Sequence, residues 1–343
     1  MSGTATPLQC KADDDDVSTA FVFDDKALQR ALKHIYEKDF HPMTDIEENL
    51  FNETFRIFSQ ASDEGISKSS AEIPVDFKEK IDRGNAIFSA FKVHRMQNDI
   101  ATQMYDSNGD LKPFEQWKKD VHPMLDHHVG HWLKTEYDTA VIRARQAADW
   151  QRFEQYADIL PNLEWMPSTS ANPGADHKAF WGTILPINHP FWSAHRPGDR
   201  WNCKCSLSAT DEPPTGAPRD SGDPKDQPAP GLDNNPGVDG KLFGDTHPYI
   251  ANGYDGAKDA VKKFLTEKVF RQEDILYADP ATGKELDRSG KYYIDPDYGK
   301  RLQTSVQADR TEVEENTRAA KVLLDSFPKM KVKILSLIHI SEP

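Results

Sequence analysis

Two thiols separated by a single residue, Cys203 and Cys205, follow histidines at positions 177, 189 and 195. Thiolate sulfur and imidazole nitrogen are the donors that hold a tetrahedral zinc ion. On an extended strand both side chains of a Cys-x-Cys run point to one face. With His177 and either His189 or His195 as the fourth donor, they would form a Cys2His2 site. Such an ion would staple a segment with few apolar residues of its own. The spacing is tighter than the common Cys-x2-Cys knuckle, so a second reading stays open: reduced, packed cysteines with His177 bonded to a turn. A Cys203–Cys205 bridge would be strained.

Around these residues stand Phe180, Trp181, Phe191, Trp192 and Trp201. Trp181, Phe191, Trp192 and Trp201 would serve as interface anchors or as the small core of the segment, and core is the preferred reading for most of them. A second histidine group, His122, His127, His128 and His131, places His127 and His131 four apart on a helix. It lacks the His-Glu-x-x-His arrangement, and Pro123 and Gly130 mark a helix junction, so a solvated or capping role is expected. No phosphate-binding glycine loop, nucleophile elbow or paired Cys-x2-Cys motif is present, and no catalytic residue is assigned in this part of the chain.

The elements that must position these residues are mainly helical. Residues 1–20 are polar and expected to be disordered. Leu28, Leu32 and Ile35 share a helical face, and Thr44-x-x-Glu47 reads as a capping box before Ile46, Leu50, Phe51, Phe55 and Phe58. Residues 59–72 are small and polar and read as a loop. Further helices are expected through Phe88, Phe91, Met96, Ile100 and Met104, after Pro113, and over 131–156. Residues 160–210 form a compact lobe with short strands. Residues 211–240, dense in Pro, Gly and Asp, read as a linker. Residues 241–334 regain apolar content, with helices at 257–266 and 310–326 and a strand at 329–334. The fold class is therefore α+β: a mainly helical N-terminal region (21–210) bearing the loop-rich lobe, then the linker and an incomplete small α+β domain. The tail 335–343 back-translates to a transposon-end adapter used in sequencing libraries. It is expected to be an assembly scar, with the natural chain continuing past Ile334.

Composition narrows the function classes. The formal net charge is −14, which disfavours wrapping of DNA by the whole chain. No apolar run approaches the roughly 20 residues that span a bilayer, and Met1–Val17 carries an acidic run and no apolar core, so no membrane partner is expected. An odd cysteine count, with Cys10 the third, points to a reducing cytoplasm.

The run from Asp176 through His177, Gly182, Pro186, His189-Pro-Phe-Trp192, Pro197, Trp201 and Cys203-Lys-Cys205 closely resembles the signature of the phage Mu F-like minor head proteins. The upstream segment Thr135–Ala140, with Ala144, Ala147 and Trp150, and the stretch Leu163–Pro167 resemble the elements that precede it, so the likeness covers roughly residues 85–210. The family often has Arg three residues before the His, where this chain has Gly174. The resemblance implies a minor head protein acting in capsid morphogenesis. It would be portal-associated in the procapsid interior in a few copies, with capsid and scaffold components as partners and packaged DNA met only indirectly. Assembly would occur in the bacterial host cytoplasm.

More weakly, Phe243–Tyr249, residues 316–326 and residues 329–334 resemble the start of barnase/EndoU/colicin/RelE-like nuclease domains fused behind phage head proteins. That implies an alternative function, a head-delivered toxin with an RNA substrate. His247, Lys321 and Lys331 could supply the base, acid and cation. The sheet completing such a site would lie beyond Ile334, so this chain is expected to be inactive as a nuclease.

Overall fold

In the computed structural model, which describes residues 21–170, 175–218, 227–270, 277–278, 285–286, 292–295, 299–305, 310–326 and 330–334, the first two helices begin where side chains satisfy their free N–H groups. Helix α1 (Asp25–Tyr36) starts at Asp24, whose carboxylate accepts from Lys26 N, and it buries Ala27, Ala31, Leu32 and Ile35. Helix α2 (Glu48–Ser67) is capped by the buried Glu47, whose carboxylate accepts from Leu50 N at 2.7 Å. The cap is thus Glu47 itself and not Thr44.

Residues 59–67, expected as a loop, are the second half of α2. Their small side chains serve a close helix–helix approach. Ala61, Ser62 and Gly65 are buried, and a Cβ on Gly65 would collide with the Val141 carbonyl oxygen and Ala144 of α5 (Trp132–Gln155). Helix α3 (Val75–Ala101) supplies Phe88, Val93 and Met96 to the same core. Helix α4 (Phe114–Leu125) follows Pro113 and runs through a single π-helical stretch, Asp126–His131, into α5.

The lobe is a three-stranded antiparallel sheet in the order β2 (Ile184–Pro186), β1 (Asn162–Met166), β3 (Ser206–Thr210), with a 3-10 turn at Ala175–Phe180 and a short α6 (Phe191–Ala194). Its core of Leu163, Trp165, Phe180, Leu185, Trp192, Cys203 and Cys205 packs on Trp150 and Phe153 of α5.

The expected linker needs correction. Residues 227–265 belong to the helical unit, which extends to Leu265, and the second compact unit begins at Thr266, not at residue 241. Short helices α7 (Pro236–Asp239) and α8 (Pro248–Ala251) and helix α9 (Ala257–Phe264) hold this strap. Phe243 stacks on Phe88 at 4.1 Å between ring centroids. Arg143, fully buried, donates to the carbonyls of Gly198, Leu232, Asn234 and Leu242 and to the Asn234 side chain. The Gly, Pro and Asn content that resembles a flexible linker instead supplies backbone acceptors for one guanidinium.

The second unit is a five-stranded sheet in the order β4 (Tyr277–Ala278), β5 (Glu285–Leu286), β6 (Tyr292–Asp295), β7 (Gly299–Ser305), β8 (Val332–Ile334). The pair β7–β8 is parallel and is joined through helix α10 (Arg310–Ser326), which buries Ala320 and Leu324 against Leu302 and Ile334. The tail 335–343 lies outside the described residues. No helix among the described residues is long and apolar enough to cross a membrane.

Candidate metal centre

His177 reaches the site from the 3-10 turn, and the two cysteines reach it from the run entering β3. Between them, Gly198 turns the chain at φ +83°, and a Cβ there would lie 2.5 Å from Gln146 Oε1. That turn carries Asp199 beneath the histidine.

The Cys203 sulfur lies 3.1 Å and the Cys205 sulfur 3.8 Å from His177 Nδ1. All three donor atoms fall within 4.8 Å of one another, and all three residues are buried. Zinc bound tetrahedrally by sulfur at 2.3 Å and nitrogen at about 2.0 Å would set these edges at about 3.5 Å. The residues present therefore fit such an ion.

The outer contacts fit it as well. His177 Nε2 donates to Asp199 Oδ1 at 2.8 Å, which leaves Nδ1 facing the sulfurs. A carboxylate behind a ligating histidine fixes ring orientation and raises donor strength. The indole Nε1–H groups of Trp165 and Trp181 are buried without a hydrogen-bond partner.

Electrostatics follow from these contacts. Burial opposes charge on His177, but the Asp199 carboxylate and Cys205 outweigh it and raise the imidazole to about 9. Burial also opposes charge on Asp199, yet the hydrogen bond from His177 and the nearby His195 ring bring it to about 2. Its bond to Cys205, together with burial, pushes the Cys203 thiol well up. Cys205, as the partner in that bond and despite burial, is drawn down to about 4, with His177, Trp165 and Trp181 lowering it further. A divalent cation would take both cysteines as thiolates.

The histidines proposed as a fourth donor do not join the cluster. His189 Nδ1 accepts from Phe191 N at 3.1 Å, and His195 Nδ1 lies 3.7 Å from Asp199 Oδ2. Trp192 is buried in the lobe core, with Phe191 and Trp181 half-buried against it. Trp201 stacks on Phe243 at 6.0 Å and so packs on the strap. In the second histidine group, His128 is buried against Asp99 at 3.0 Å, and His122 pairs with Asp126 at the surface. The His127 and His131 rings stand 6.0 Å apart.

Of the residues considered for RNA cleavage, His247 belongs to the helical unit, not the C-terminal one. It is buried and caps α8 by accepting from Tyr249 N. Burial and the charge of Lys92 lower it to about 3. Lys321 pairs with Asp295 at 3.2 Å, and Lys331 is exposed.

Asp199, which accepts from His177, escaped sequence reasoning. The signal for Asp199 is the Pro-Gly-Asp turn four residues beyond His195. A buried cluster was also missed. Lys92 pairs with Glu136 at 2.8 Å, and Tyr249 OH donates to Glu136 at 2.8 Å, fastening the strap to α3 and α5.

Comparison with curated proteins gave no match, nor did comparison with solved structures. The family model described as Phage Mu protein F like protein matches residues 100–208, which supports the resemblance read from the signature, and the whole constellation from His177 to Cys205 lies inside that range.

Proposed function

We propose that this chain is a phage head-morphogenesis protein, a component of the virion that joins the procapsid beside the portal and acts from the head interior. One observation carries the reading: the residues of the signature, scattered over 176–205, fold into one lobe inside the stretch that matches the Mu F-like family model. The lobe's task is to present a fixed surface at the end of α5. The His177–Cys203–Cys205 donor set would hold structural zinc there, tying the 3-10 turn to the run before β3. The net charge of −14 favours protein partners, portal and capsid or scaffold components, over direct contact with packaged DNA.

The test is reconstitution of heads with the portal, scaffold and capsid proteins encoded by the neighbouring genes. The chain should be incorporated in a few copies per particle, and its incorporation should fall sharply when the portal is left out. Particles that assemble with a portal yet exclude the chain would refute the assignment.

A further inference from the structure

We propose that the metal held by His177, Cys203 and Cys205 keeps its fourth coordination position for a small exchangeable ligand, water or a single anion, and is not closed by a fourth protein side chain. This rests on the metal reading given above.

Three donor atoms converge, and the described residues offer no fourth within the same 4.8 Å. Of the two histidines nearest in sequence, His189 Nδ1 accepts from the α6 backbone, and His195 Nδ1 lies 3.7 Å from Asp199 Oδ2, outside the cluster of donor atoms. Sites whose zinc is purely structural are closed by four protein donors, whereas three donors accompany an open position.

The outer shell leaves little slack for a fourth side chain to be drawn in. Asp199, itself fully buried, fixes His177 from behind. Trp165 of β1 and Phe180 pack their rings beside His177, at 5.4 and 6.3 Å between centroids. Charge sets the ligand class. A divalent cation with two thiolates and a neutral imidazole has no net charge, so the open position accepts water or one monoanion without building up charge in a buried site.

The experiment is cobalt(II) reconstitution of the full chain under reducing conditions, followed by titration with imidazole or cyanide. The expected result is one cobalt per chain with thiolate-to-metal charge-transfer bands. The ligand-field envelope should shift saturably as one exogenous ligand binds. His189→Ala and His195→Gln should each retain one cobalt and the same shift, and Cys203→Ser should lose one thiolate's share of the charge-transfer absorption. Two results overturn the inference while leaving a metal site in place. One is a wild-type envelope unmoved by excess ligand. The other is a shift that appears only in one of the two histidine variants, which would name that residue as the fourth donor. Failure to take up stoichiometric cobalt would overturn the metal reading itself, and this inference with it.

Discussion

The helical part of the first unit and the lobe it carries are stabilised by different means. Helices α2, α3 and α5 bury Phe58, Phe88, Ile57 and Tyr137 in a broad core that needs no ion. The lobe has three short strands, a small aromatic core and, at its centre, three donor side chains in place of apolar ones. Where apolar area is plentiful, polar groups are tolerated only as paired clusters such as Lys92–Glu136–Tyr249. Where it is scarce, polar groups converge on a single point.

The largest effect should come from breaking the lobe and sparing the helices. Cys205→Ser should cost on the order of 5–10 kcal/mol of local stability. Hydrogen exchange would show it as lost protection over residues 160–210, with α2 and α3 unchanged; equal loss in both regions would erase the distinction.

The converse cut lies in the helical part. Burial lowers Lys92 and raises Glu136, so each charge stays only because the other is present. Lys92→Met or Glu136→Leu alone should each cost about 3–5 kcal/mol in denaturant unfolding, and the double variant less than their sum. Additive losses would show that the pair is not coupled.

Acid should then weaken the strap. His247 sits at about 3 in the folded chain against 6.5 when free, so between those values the unfolded chain binds the extra proton. Stability is lost as pH falls through that window, by about 3 kcal/mol at pH 4. His247→Asn, which retains a capping acceptor, should flatten that part of the profile. An unchanged slope would mean that the imidazole accepts a proton in the folded state.

The smallest effect concerns packing. Gly65→Ala, which forces α2 from the Val141 carbonyl, should cost about 2 kcal/mol and lower the melting temperature without altering metal content. A neutral result would show that the helices have room to part.

The helices, the lobe and the convergence of His177 with the thiols were legible because periodicity and ligand type are local signals. Two misreadings share one cause, that small or polar residues look alike whether they face water or a partner. Ala61, Ser62 and Gly65 read as loop because only α5 reveals why they are small. Residues 227–240 read as linker because the guanidinium that binds the Leu232 and Asn234 carbonyls, Arg143, lies far away in the sequence. Histidine type likewise does not disclose whether a ring meets a metal, a helix cap or a carboxylate: His189 Nδ1 accepts from Phe191 N, and His195 Nδ1 lies 3.7 Å from Asp199 Oδ2.

The central claim, that the three side chains at the heart of the lobe hold one metal ion, is tested most directly by the zinc content of the full chain purified under reducing conditions. The account predicts about one zinc per chain, lost in both His177→Ala and Cys205→Ser. A wild-type chain free of stoichiometric zinc, with residues 160–210 still fully protected from exchange, would contradict it.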